Sequence, residues 1–99
     1  MYTLRFATGV ATDLKRIRAF ERSRILESME AQLSEEPTTS TRHRKLLVNL
    51  VPPWSGELPV WELRVGEYRV FYDVSEDEEL VYVRAVKKKP PGKRTEEIL

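Results

Sequence analysis

Arg64 and Arg69 flank the dipeptide Gly66-Glu67, and the runs on either side, 60–65 and 68–74, are rich in β-branched and aromatic residues. A glycine-first pair between two such runs predicts a two-residue hairpin of type II′. That turn sets Val65 opposite Tyr68, Arg64 opposite Arg69, Leu63 opposite Val70 and Trp61 opposite Tyr72. Side chains alternate along each strand, so the two arginines share one face and the apolar residues share the other. Like charges directly opposite one another are destabilising. The pair therefore calls for an offset: a nearby carboxylate, with Glu62 and Asp73 on the same face, exposure to water, or an anionic ligand. Phosphate suits the last of these, because the planar guanidinium fork matches it bidentately. A small solvated charge network is the plainer account of the same residues.

The elements around this hairpin extend the pattern. Leu80–Val86 reads as a third strand after the polar turn Ser75–Glu79. Placing Val74 opposite Leu80 sets Arg69 opposite Ala85 and Val83 opposite Phe71, with Lys87 and Lys89 continuing the arginine face. It also puts Arg84 on the apolar face. A slip of one residue would carry Arg84 to the arginine face and remove Lys87 from it.

Upstream, YTLRFA (2–7) alternates as a short first strand. Val10, Leu14 and Ile17, then Ile25, Met29 and Leu33, recur at helical spacing. The two halves form either one long helix or a hairpin bent near Ala19–Arg22. Pro37 ends the helical region. TTSTRHR (38–44) reads as loop and KLLVNLV (45–51) as a short strand. The expected fold is α+β: a small antiparallel sheet covered on one side by a two-helix hairpin, with the other face partly open to a ligand. The chain reads as one domain over residues 1–99, with 90–99 a proline-broken tail free to flex.

Composition narrows the function classes. The chain has 99 residues, enough for one modest core. It contains no cysteine, which excludes disulfides and thiolate chemistry, and its single histidine argues against structural zinc. No glycine-rich phosphate loop precedes a helix. No apolar run approaches the roughly 20 residues of a membrane helix, and the N-terminus lacks a signal-peptide pattern, so a cytoplasmic location is expected. The formal charge is only +1, but its distribution is uneven. Arg42, His43, Arg44 and Lys45 form one basic run, and 84–94 carries Arg84, Lys87, Lys88, Lys89, Lys93 and Arg94 with no acid. Segregated patches of this kind can hold a polyanion on one face, or can be simple solvated surface. On the first account Arg44, Lys45, Lys87 and Lys88 are candidate RNA contacts.

The stretch WELRVGEYRVFYDV (61–74) resembles the central hairpin of the RelE/ParE superfamily of bacterial toxins, through Leu63, Arg64, Gly66, Tyr68, Arg69, Val70 and Tyr72. VYVRAVKKK (81–89) is similar to the family's last strand with its basic end. The helical pair and HRKLLVNL (43–50) fit as well, so the resemblance spans nearly the whole chain. It implies a compact toxin neutralised by a cognate antitoxin. RelE-like members cleave translated mRNA at the ribosome without a metal or other cofactor: the ribose 2′-OH attacks the adjacent phosphorus and the 5′-oxygen leaves. That chemistry needs cations on the phosphorane and groups that move two protons. ParE-like members poison DNA gyrase instead, and a degenerate member would only bind its antitoxin.

By the same resemblance, Arg69 matches the arginine most associated with phosphate contact, and Arg64 matches a position that is often basic. Glu62 stands where RelE-like members carry lysine; it is either a general base or a sign of lost nuclease chemistry. Lys89 falls about where a catalytic arginine follows the last strand. The C-terminal tyrosine of RelE is missing. His43 does not match the C-terminal histidine of some relatives, and a surface histidine in a basic loop is its plainer account.

Overall fold

The computed structural model of the chain describes residues 1–56 and 58–99. The elements run β1 (Thr3–Phe6), α1 (Thr8–Lys15), α2 (Ala19–Leu33), β2 (Arg44–Leu47), β3 (Val60–Val65), β4 (Tyr68–Ser75), β5 (Leu80–Lys88) and α3 (Thr95–Ile98). They build the expected α+β fold, with a five-stranded sheet in the order β1-β5-β4-β3-β2. Strands β2 to β5 form an antiparallel meander. β1 joins the far edge parallel to β5, so the sheet is mixed rather than purely antiparallel. A parallel pair needs a long crossover, and the elements between β1 and β5 supply it.

The helical region divides in two, slightly upstream of the expected bend. The Arg16 and Ile17 N–H groups bond back to the Asp13 and Leu14 carbonyls, respectively, and Arg18 is extended at φ −56°, ψ 144°. No glycine or proline is needed, because the Arg22 guanidinium donates to the Leu14 and Ile17 carbonyls and satisfies the open end of α1. Val10, Ile17, Ile25, Met29 and Leu33 then pack on Trp61, Leu63, Val65, Val70 and Tyr72 of the sheet, with Val81, Val83 and Val86 from β5. Each such side chain, fully buried, is worth about 1.5–3 kcal/mol.

The β3–β4 register is the expected one, with Arg64 opposite Arg69, and Gly66 takes the positive φ of 56° that the turn requires. The β4–β5 register differs from expectation. Ser75 lies opposite Leu80 and Val74 opposite Val81. A bulge then shifts the pairing by one more residue between Phe71 and Tyr72, so that Phe71 faces Ala85 and Arg69 faces Lys87. Each one-residue step flips the faces, and two steps restore them. Arg84, the extra residue of the bulge, thereby leaves the apolar face while Lys87 keeps its place beside Arg69. Arg84 pairs with the fully buried Asp73, donating from Nε and Nη2 at 2.7 and 3.1 Å.

The second sheet face is half covered. Val60, Phe71 and Ala85 lie beneath Leu47, Leu50, Trp54, Ile98 and Leu99. The Trp54 ring sits 6.1 Å from that of Phe71, tilted by 46°. The end of this face that carries Arg64 stays exposed.

Candidate functional site

The hydrogen-bond ladders place four basic residues in one row across the sheet. Arg64 on β3 is opposite Arg69 on β4, and Arg69 is opposite Lys87 on β5. On the other side, the Arg64 N–H donates to the His43 carbonyl at 2.7 Å, extending the β2–β3 ladder by one residue beyond Arg44. His43, Arg64, Arg69 and Lys87 therefore project from successive strands on one face, with neighbouring strands about 4.8 Å apart. Lys45 lies opposite Glu62 in the adjacent row. A cavity of about 170 Å³ opens between the 40–45 segment and β3, lined by residues 40–45 together with Glu62 and Arg64.

The members of the row are held very differently. Arg69 is buried; its Nη1 donates to the Gly66 and Tyr68 carbonyls at 2.9 Å each. Its Nε lies 3.3 Å from Glu62 Oε1, close enough for an ion pair though not aligned as a hydrogen bond. Burial pulls the Arg69 pKa below its ordinary value; the Glu62 carboxylate opposes that shift and neighbouring Arg64 adds to it. Glu62 is itself buried and accepts from Thr95 Oγ1 at 3.2 Å. It is thus the carboxylate that offsets the Arg64–Arg69 repulsion, while Asp73 serves Arg84. Arg64 is exposed, and among the described residues its guanidinium has neither a hydrogen bond nor an ion pair.

The other sequence-predicted residues spread out. Lys87 bends over the sheet edge to Asp13, with Nζ 3.2 Å from Oδ1, while Asp13 Oδ2 accepts the Val86 N–H that β1 is too short to reach. Lys88 makes a loose exposed pair with Glu67 at 3.8 Å. Lys89 follows β5, tied to the hairpin turn by its backbone N–H on the Glu67 carbonyl at 2.7 Å. Lys45 is exposed beside Glu62. Arg44 points the other way: it is buried on the helix side, and its guanidinium donates to the Thr39 and Gln32 carbonyls. It fastens the loop after α2, and its guanidinium is engaged there rather than on the cationic row. Sequence reasoning did not foresee Asp13, Thr95 or the alignment of His43 with Arg64. The first two could not be read from spacing, because they come from distant segments. The third follows once β2 is started at Arg44 and paired with β3. Among the described residues no group of His, Asp and Glu is arranged to hold a metal ion.

A sequence model of the ParE toxin of type II toxin-antitoxin systems (parDE) matches residues 4–89. The chain belongs to that family, within the RelE/ParE-like superfamily. Solved RelE-type structures share the toxin's fold. The RelBE2 toxin-antitoxin complex of Mycobacterium tuberculosis aligns at 26% identity with a TM-score of 0.69, covering 89% of this chain and 98% of that one. The RelE-RelB complex of Pyrococcus horikoshii aligns at 23% identity and a TM-score of 0.69, over 94% and 98% of the two chains. The isolated Escherichia coli RelE toxin aligns at 18% identity and a TM-score of 0.69, over 98% and 94%. No relative was found among curated proteins. The toxin has, among its described residues, no helix long and apolar enough to cross a membrane.

Proposed function

We propose that this toxin is a single-domain, metal-free endoribonuclease that cleaves translated mRNA at the ribosome in the cytoplasm and is neutralised by a cognate antitoxin. The observation that carries the reading is the cationic row, in which exposed, uncommitted Arg64 lies directly across from buried Arg69. Arg64 reaches the scissile phosphate. Arg69 is fixed by two carbonyls and Glu62 and supplies charge to a developing phosphorane without moving. Lys45 and Lys89 flank the row and hold neighbouring phosphates, with Lys88 further out. Lys87 adds to the field from behind its Asp13 partner. The ribose 2′-oxygen attacks phosphorus, the bond to the 5′-oxygen breaks, and a cyclic phosphate and a 5′-hydroxyl result.

Primer extension on cellular mRNA after brief induction tests this. Wild type should give new 5′ ends within translated codons. Arg64→Ala, at an exposed position, should lose them by about a hundredfold with the fold intact. Growth arrest without new ends would overturn the reading.

Two observations support a second reading, a gyrase poison of the ParE kind. The matching sequence model is that of a ParE toxin. Glu62 is also engaged by Arg69 and Thr95 rather than free to act as a base. That reading expects DNA damage signalling and intact mRNA.

A further inference from the structure

The proposed cleavage needs a group to take the 2′ proton, and Glu62 is committed to Arg69 and Thr95. We propose that His43, at the open end of the cationic row, is the general base of this site; the inference rests on the endoribonuclease reading. Three observations carry it. His43 sits directly across the ladder from Arg64, its carbonyl accepting the Arg64 N–H, so the two residues are backbone neighbours on adjacent strands. It lines the same cavity as Arg64, Glu62 and Lys45 and is exposed, so a bound ribose can reach it. Its backbone is fixed from several sides: its carbonyl accepts from Arg64, its N–H donates to Thr41 Oγ1 at 3.1 Å, and the next residue, Arg44, is anchored by its own N–H on Thr41 Oγ1 and its guanidinium on Gln32 and Thr39. This fixed backbone sets where the imidazole starts, on the strand edge beside Arg64, and leaves its side-chain torsions free to bring a ring nitrogen to a bound ribose.

The step balances. A ring nitrogen of His43 takes the proton from the 2′-hydroxyl as the 2′-oxygen forms its bond to phosphorus. The bond from phosphorus to the 5′-oxygen breaks with its electron pair, and that oxygen takes a proton from solvent. The imidazolium then returns its proton to water. The charged groups that line the cavity with His43 are Arg64 and Glu62 from β3, with Arg42, Arg44 and Lys45 from its own segment.

The test is chemical rescue. Cleavage rates are measured in a translating extract for wild type, His43→Ala and His43→Gln, with and without added imidazole, and thermal melting confirms the fold of each variant. Both variants should lose about a hundredfold in kcat with little change in KM. Imidazole should restore part of the rate to His43→Ala and none to Arg64→Ala. If wild type cleaves and His43→Ala cleaves equally well, or a folded His43→Ala is slow and imidazole leaves it so, this inference fails while the endoribonuclease reading stands. If wild type itself leaves the mRNA intact, the reading fails and takes the role of His43 with it.

Discussion

Arg69 and Arg64 are paired across one hairpin yet live in different media. Arg69 is 8% exposed and held by two carbonyls and a buried carboxylate, while Arg64 stands in water. Removing one partner of a buried ion pair leaves the other charged and unsolvated, which costs more than the pair contributes. Arg69→Ala should therefore destabilise the fold by about 3 kcal/mol, read as a lower urea midpoint. Arg64→Ala should leave the midpoint unchanged or slightly raised, because it relieves a like-charge contact. Equal losses for the two would contradict this division of roles. The pairing itself was legible in the sequence, because a two-residue turn fixes register residue by residue. The burial of Arg44 was not: its partners are the backbone carbonyls of Thr39 and Gln32, which no residue type announces. His43 was passed over for a related reason. The segment between β2 and β3 is long, so nothing in the sequence sets their register.

At the scale of elements, the half-covered sheet face depends on how closely the 48–56 segment approaches β4 and β5. A Cβ added at Gly56 would lie 2.7 Å from Asp73 Oδ2 and 2.9 Å from the Arg84 guanidinium nitrogens. Gly56→Ala should displace the loop or split that pair, at about 1–3 kcal/mol. Gly9→Ala, with nothing within 4 Å and a helical backbone, should instead stabilise by about 0.5–1 kcal/mol; thermal melts of the two compare them directly. Tyr72 on β4 pins the loop after α2, its buried hydroxyl donating to the Pro37 carbonyl. Burial raises its pKa well above the ordinary 10.0, with Arg44 opposing the shift. The folded state thus keeps a proton that the unfolded chain releases above pH 10.0, so stability is full below that value and falls as pH rises beyond it. Tyr72→Phe should be less stable at neutral pH but decline less steeply above pH 10.0, by up to about 1.4 kcal/mol per pH unit. Parallel alkaline declines would remove Tyr72 as the cause. The helices and the hairpin were readable from periodicity and turn chemistry. The β5 bulge was not, since the Asp73–Arg84 pair and the close approach of Gly56, both made by chain folding from elsewhere, accompany it.

Over the whole molecule, the cationic row is a local cluster rather than the result of a high net charge. The net value is +1, and the helix layer mixes exposed Lys15, Arg16, Arg18 and Arg24 with Glu27 and Glu30, while the opposite face brings His43, Lys45, Arg64 and Arg69 into adjacent rows. The two basic runs were visible in the sequence, and the strand order accounts for their convergence by bringing β2 and β5 to flank the arginine hairpin. The docking of α3 through Thr95, Ile98 and Leu99 was not visible, because a short acidic tail reads alike whether it frays or packs. A local cationic row makes a definite demand on binding. Each phosphate neutralised releases counterions, so affinity for single-stranded RNA should fall linearly with the logarithm of salt concentration, with a slope of about −0.7 per contact. Arg64→Ala should reduce the magnitude of that slope by about one contact, and Lys45→Ala likewise. Lys15→Ala, on α1 in the helix layer, should leave it unchanged. Fluorescence anisotropy with a labelled oligonucleotide across a salt series measures all three. A slope that Lys15→Ala lowers as much as Arg64→Ala would mean that RNA meets the molecule's diffuse charge, and the cationic row would lose its claim to be the binding face.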